Sequence, residues 1–186
     1  MKRAAVLAVD GGGSKVDAVL IRRDGMVLGA ARIATGAASD GVPGEDDHMR
    51  PILEATRAAA EMGALTIKEA AGMPVESLQA AQFRHGPLEL AGPDLAAIVL
   101  ATEPETAELD RELAADLAKL GAAVLLVTTG GPAPGDTMSI AIGSLDRLLS
   151  PAAAVVPAQL LAWRLSLTSG RTPGSYLHAS KVTTRE

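Results

Sequence analysis

Glu69, His85 and Lys181 are three side chains whose types make a chemically sufficient set for proton transfer on a sugar phosphate. Interconverting a ketose and an aldose phosphate needs a base that carries a proton between C1 and C2, and a carboxylate can do this. Opening the sugar ring needs a group that exchanges protons near neutral pH, which suits imidazole. An amine can form an imine with a ketone or stabilise an enolate oxygen. Each residue also has a plainer reading. Glu69 would be a charge near a helix end, His85 a turn histidine ahead of Gly86-Pro87, and Lys181 a solvated residue of the polar stretch HASKVTTRE. Types and spacing alone do not choose between the two.

A second cluster is Asp10-Gly11-Gly12-Gly13-Ser14-Lys15. Glycines let a backbone approach a phosphate closely, and the exposed N–H groups form an anion-binding concavity. A hydroxyl from Ser14 and an ammonium from Lys15 add hydrogen bonds and charge, and Asp10 could hold a hydrated Mg²⁺. The run is neither G-x-G-x-x-G nor a P-loop, because no helix follows it. Read locally, a glycine-rich β-turn fits slightly better than a phosphate strap.

The elements that must position these residues fall into two unlike parts. Apolar runs at 4–10, 16–22 and 26–34 read as strands, with Asp24-Gly25 turning the last two into a hairpin. Residues 35–48, rich in Gly, Ser, Pro and acid, read as a junction. Ile52, Ala55, Ala59, Met62, Leu65 and Ala70 recur at helical steps from Met49, with Gly72 as the stop. Buried strands are expected at 95–102 and 122–128, flanking a helix over 104–121 that has acids early and Lys late. A shorter apolar run follows at 138–142, and Pro151 opens an apolar helix through Leu167, with Pro157 inside it. Strand–helix–strand alternation with continuous apolar strands implies a parallel sheet covered on both faces.

Composition narrows the function classes. The chain has 186 residues, 48% hydrophobic and 2% aromatic, with a net charge of −5. Alanine makes up about a fifth of it. Scattered Lys and Arg and the lack of stacking aromatics argue against nucleic-acid binding. No apolar run reaches the roughly 18 residues of a membrane span, and the start lacks the apolar length of a signal peptide, so a cytoplasmic protein is expected. With Cys at 0, disulfides, thiolate metal sites and cysteine nucleophiles are excluded from these residues. No metal and no cofactor is expected.

Two resemblances bear on these residues. The segment VDGGGSKVDAVLIRRDGMVLG (9–29) resembles the first hairpin of sugar kinases of the BadF/N-acetylglucosamine kinase type. There the matching Asp10, Gly12, Gly13, Ser14 and Lys15 would form the first phosphate motif. The likeness covers about 35–40 residues and lacks the family's second phosphate loop, adenosine motif and catalytic aspartate, so a working kinase is not expected. From about Ala59 onward the chain resembles the C-terminal sugar isomerase (SIS) domain of the glucosamine-6-phosphate synthase and deaminase group. KEAAGMPVES (68–77), FRHGPLEL (83–90), VPAQLLAWRLSLTSG (156–170) and SKVTTRE (180–186) carry that likeness. It implies that Glu69 is the isomerising base and that His85 promotes ring opening, reaching the site of a neighbouring subunit. Lys181 would form the imine or contact the open-chain sugar.

Three departures accompany the resemblance. The synthase lysine aligns with Ser180 rather than Lys181, so Ser180 and Lys181 share the substrate-binding assignment. Gln82 stands where the synthase has a glutamate. Family enzymes also carry two SIS domains, the first of which grips the sugar phosphate, and only the second is matched here. The expectation is therefore a three-layer α/β/α SIS-type parallel sheet, Rossmann-like, over 49–186. Residues 1–48 would be a partial kinase-type β-hairpin appendage and linker. Its partner would be a phosphorylated amino sugar, its assembly a homodimer, and its chemistry, if active, sugar-phosphate isomerisation or deamination. The alternatives are a non-catalytic phosphosugar-sensing or dimerisation module, or a residual ATP-binding fragment.

Overall fold

In the computed structural model, the structure describes residues 5–10, 15–21, 27–34, 46–146 and 149–178, with side chains described from Ala55 onward. The strands are β1 (Ala5–Asp10), β2 (Lys15–Ile21), β3 (Val27–Ala34), β4 (Val75–Gln79), β5 (Leu95–Ala101), β6 (Ala123–Thr128) and β7 (Met138–Ala141). The helices are α1 (Asp46–Ala71), α2 (Ala80–Arg84), α3 (Ala107–Lys119) and α4 (Ser150–Thr168), with a 3-10 turn at Pro87–Leu90. Five strands form one parallel sheet in the order β4-β1-β5-β6-β7, and β2 and β3 pair separately as an antiparallel hairpin.

The alternation along β5 shows why the sheet is covered on both faces. Leu95, Ala97, Val99 and Ala101 pack with Phe83, Leu113, Ala114 and Leu117 of α2 and α3. Ile98 and Leu100 point the other way, into Ile67 of α1 and Ala154, Ala158 and Ala162 of α4. Side chains of successive strand residues face opposite sides, so a strand apolar at every position must be covered twice. The three layers are α1 and α4, the parallel sheet, and α2 with α3.

The alanines settle where helices come closest. Ala59, Ala60, Ala64, Ala154 and Ala158 surround the contact between α1, α4 and β5. At Gly63 an added Cβ would stand 2.8 Å from the Ala158 Cβ, so the two helices approach too closely there for any side chain. On the other face, α3 turns its buried stripe Asp110, Leu113, Ala114 and Leu117 inward. It ends at Gly121 (φ +91), whose N–H donates to the Ala118 carbonyl while that of Ala122 reaches the Leu117 carbonyl.

The structure differs from local expectation in one pairing. The sequence pattern places β1 in the N-terminal hairpin unit, yet it lies in the main sheet, with Val6–Asp10 opposite Val75–Gln79 and Ala5–Val9 opposite Leu95–Val99. The two strands of the separate antiparallel sheet are β2 and β3 alone. The sheet thus completes its centre with a strand from far upstream, because a central gap would leave backbone groups of β4 and β5 unpaired.

Candidate functional site

The order β4-β1-β5-β6-β7 is doubly wound, since the chain leaves β1 for β4 on one side and then crosses to β5 on the other. In such sheets the crevice beyond the carboxyl ends of the two strands flanking that reversal is where ligands bind. Here those strands are β1, ending at Asp10, and β5, ending at Ala101.

Buried polar side chains collect at this edge. Thr102 and Glu103 follow β5 directly and are buried, as are Gln79 at the end of β4 and Gln82 in α2. Thr56 donates its hydroxyl to Glu103 Oε1 at 2.6 Å. The Glu103 carbonyl accepts the N–H groups of Thr106 and Ala107 at 3.1 and 2.8 Å, opening α3. Thr106 donates to Asp110 Oδ2 at 3.0 Å. Burial pushes the Asp110 carboxyl up to about 7; the nearby Glu103 charge acts in the same direction, against the Thr106 hydrogen bond and the Arg84 charge. Both amide atoms of Gln82 and the hydroxyl of Thr102 have no hydrogen-bond partner among the described residues.

The loop after β6 is closed on itself. Arg111 donates to the Thr128 hydroxyl at 2.6 Å, to the Pro132 carbonyl at 3.1 Å and to the Gly130 carbonyl. Thr128 also donates to the Gly130 carbonyl. Its hydroxyl, an obvious phosphate donor by type, is thus held within the protein.

The structure does not bring Glu69 and His85 together. Glu69 is exposed in the last turn of α1. That helix hands over to β4 through Gly72-Met73-Pro74, which puts Glu69 at the amino edge of the sheet. Gly72 takes φ +63 there, and Lys68 pairs with Glu76 at 2.8 Å. His85 caps α2, in the layer of α2 and α3 on the other face of the sheet, and is exposed; its neighbour Arg84 pairs with Asp116 of α3 at 2.9 Å, and Gly86 at φ +144 turns the chain into the 3-10 helix. Ser180, Lys181, Gly12, Gly13 and Ser14 lie outside the described residues, while Asp10 and Lys15 end β1 and begin β2.

Asp110 and Glu103 were not found by sequence reasoning. The signal was present, because Asp110, Leu113, Ala114 and Leu117 follow the i, i+3, i+4, i+7 pattern and place an acid on the apolar stripe. An acid in a first helical turn is ordinarily explained by the helix dipole, which hid it.

Fold and edge geometry define a doubly wound α/β domain of the kind that binds small ligands at its strand ends. The SIS domain profile matches residues 55–169, and the chain belongs to the SIS family. It is 29% identical over 134 residues to an Arabidopsis thaliana glutamine–fructose-6-phosphate aminotransferase (isomerizing), covering 69% of this chain and 20% of the relative. The enzyme of that name from Lactiplantibacillus plantarum is 32% identical over 108 residues, 58% of this chain and 18% of the relative. The chain therefore spans about a fifth of the length of the curated relatives it matches. Among solved structures, the C-terminal domain of glucosamine-fructose-6-phosphate aminotransferase from Francisella tularensis superposes with TM-score 0.58 at 17% identity, over 63% of this chain and 34% of that one. Tagatose-6-phosphate ketose/aldose isomerase from Escherichia coli gives 0.57 at 17% identity, over 98% and 41%. Both likenesses concern the fold. Among the described residues no helix is long and apolar enough to cross a membrane.

Proposed function

We propose that this chain is a phosphosugar-binding SIS domain whose chemistry, when complete, is aldose–ketose isomerisation or deamination of an amino-sugar phosphate. The observation that carries the reading is the pair of orphaned buried side chains, Gln82 and Thr102, at the carboxyl edge on either side of β1. Buried polar groups without partners are costly, and a site awaiting a ligand is one of the few reasons to keep them. A hydroxylated ligand supplies both donors and acceptors. Asp10, Gly12, Gly13, Ser14 and Lys15 are the weaker, kinase-like phosphate assignment and belong to the alternative of a residual ATP-binding fragment. Glu69 is assigned as the base between C1 and C2, His85 as the ring-opening acid–base group, and Ser180 and Lys181 as contacts to the open-chain sugar. Residues 49–186 are assigned to the SIS unit in this reading, with β1 completing its sheet from upstream.

The separation of Glu69 from His85 favours one second reading, a module that binds the phosphosugar without turning it over. Incubation with glucosamine 6-phosphate and fructose 6-phosphate, following ammonia and aldose phosphate formation, distinguishes the two. Turnover abolished by Glu69→Gln establishes the catalytic reading. A ligand-dependent rise in melting temperature without turnover establishes the binding module. Neither turnover nor a rise refutes both.

A further inference from the structure

Arg111 is a half-buried cation whose charge meets no carboxylate among the described residues. Arg57, Lys68, Arg84 and Lys119 each pair with a carboxylate, at 2.8, 2.8, 2.9 and 3.4 Å. Arg111 instead meets neutral oxygens only, the Thr128 hydroxyl and the carbonyls of Gly130 and Pro132. Acids are close along α3, since Glu108 and Glu112 are exposed near it in sequence, yet neither forms an ion pair with it. A guanidinium has five N–H donors, and those three bonds leave its Nε–H without a protein acceptor. Two more unspent donors follow in the same loop. The half-buried Thr129 hydroxyl and the Gly131 N–H find no acceptor among the described residues. Glycine keeps the place open. Gly131 takes φ +89, where an added Cβ would stand 3.2 Å from Arg111 Nη2, and a Cβ at Gly130 would meet nothing within 4 Å.

We propose that Arg111, the Thr129 hydroxyl and the Gly131 N–H form a site for a phosphate group, carried free or as a monoester. Backbone N–H groups at a glycine with positive φ bind anions, and a guanidinium beside them adds the charge. Donors from three separate groups match the three non-bridging oxygens of a phosphate better than the two of a carboxylate. The dianion supplies the counter-charge that α3 withholds. The site lies in the loop after β6, one strand outward from the crevice between β1 and β5. It involves none of Glu69, His85, Ser180 and Lys181, so the inference does not rest on the phosphosugar reading. Arg111 also fastens this loop, and the experiment separates that role from contact with a ligand.

The full chain, with isotope-labelled arginine, is titrated with inorganic phosphate at constant ionic strength and followed by nitrogen–proton NMR. The Arg111 Nε–H resonance, assigned by its loss in Arg111→Gln, is expected to shift saturably while those of Arg57 and Arg84 stay fixed. Arg111→Gln should weaken phosphate binding at least ~10-fold, the size of one charge-assisted hydrogen bond. Thr129→Val leaves the Arg111 bonds intact and should weaken it ~3–10-fold, a loss that a purely structural Arg111 would not produce. Titrations with glucosamine 6-phosphate and with glucosamine distinguish the two sources. The same Arg111 shift with tighter binding of the ester assigns the site to a sugar monoester, and equal binding assigns it to free phosphate. Absence of a saturable Arg111 shift, or unchanged phosphate affinity in either variant, overturns the proposal. Glucosamine 6-phosphate binding that persists undiminished in Arg111→Gln overturns it too, while leaving the phosphosugar reading in place.

Discussion

Replacing Asp110 by Asn should make the protein more stable at pH 8 and leave it almost unchanged near pH 4. Asp110 is 1% exposed, and burial lifts its carboxyl from an ordinary 3.8 to about 7. A folded-state value above the unfolded one means the folded chain holds the proton more tightly. The stabilisation from the neutral carboxyl is therefore complete below the unfolded value and is lost as pH rises through about 7. The gap of roughly three pH units, at about 1.4 kcal/mol each, puts the full loss at up to ~4 kcal/mol. Asn is neutral at every pH, and its carbonyl can still accept the Thr106 hydroxyl that now donates to Oδ2 at 3.0 Å. The substitution removes the charge and keeps the hydrogen bond. Urea unfolding of both proteins at pH 4.5, 5.5, 6.5, 7.5 and 8.5 measures the difference. The advantage of Asn should grow by about 1.4 kcal/mol per pH unit and level off above about 7. A difference independent of pH, or an Asn variant less stable than wild type at pH 8, would refute the account of a proton held by burial.

Two further outcomes follow from the geometry. Gly63→Ala should lower stability by about 1–3 kcal/mol in thermal or urea unfolding, because its Cβ meets that of Ala158 at 2.8 Å and overpacking outweighs the helix-propensity gain; adding Ala158→Gly should recover most of the loss. If Glu69 and His85 act on one substrate from two copies, Glu69→Gln and His85→Ala will each be inactive alone, while an equimolar mixture after subunit exchange should regain about a quarter of wild-type turnover. That fraction is half heterodimers with one intact site each, as closed two-fold symmetry requires, and a mixture that stays inactive despite exchange shows that the two residues do not share a site.

What the sequence disclosed was whatever local chemistry decides. β5 and β6 were legible as uninterrupted apolar runs, and α3 as a stripe between Pro104 and Gly121. The helix expected from Met49 begins three residues earlier, at Asp46. The partner of a strand is decided by long-range pairing, so nothing in AVLAVD indicated insertion between β4 and β5. The five-residue α2 is too short for periodicity to register. Glu69 and His85 were legible by resemblance, but their placement on opposite faces of the sheet depends on which layer α1 and α2 each join. Motif spacing alone could not supply that.

Alanine content shows how the same composition can mislead and then explain. As an average, a fifth of the residues as alanine only promises close packing. In place, the small side chains are concentrated where α4 faces α1, while its Leu149, Val156, Leu160, Trp163 and Leu167 face outward. A surface helix of a monomer turns its largest apolar groups inward, because each side chain of that size gains about 1.5–3 kcal/mol on burial. α4 follows that order only in part: Val155, Leu161 and Leu165 pack inward, while Leu160 and Trp163 stand out. The layers also bear on the divided candidate site, because α1 carries Glu69 on one face of the sheet and α2 carries His85 on the other. Two residues so divided would act on one sugar only if a second domain brought the missing partner.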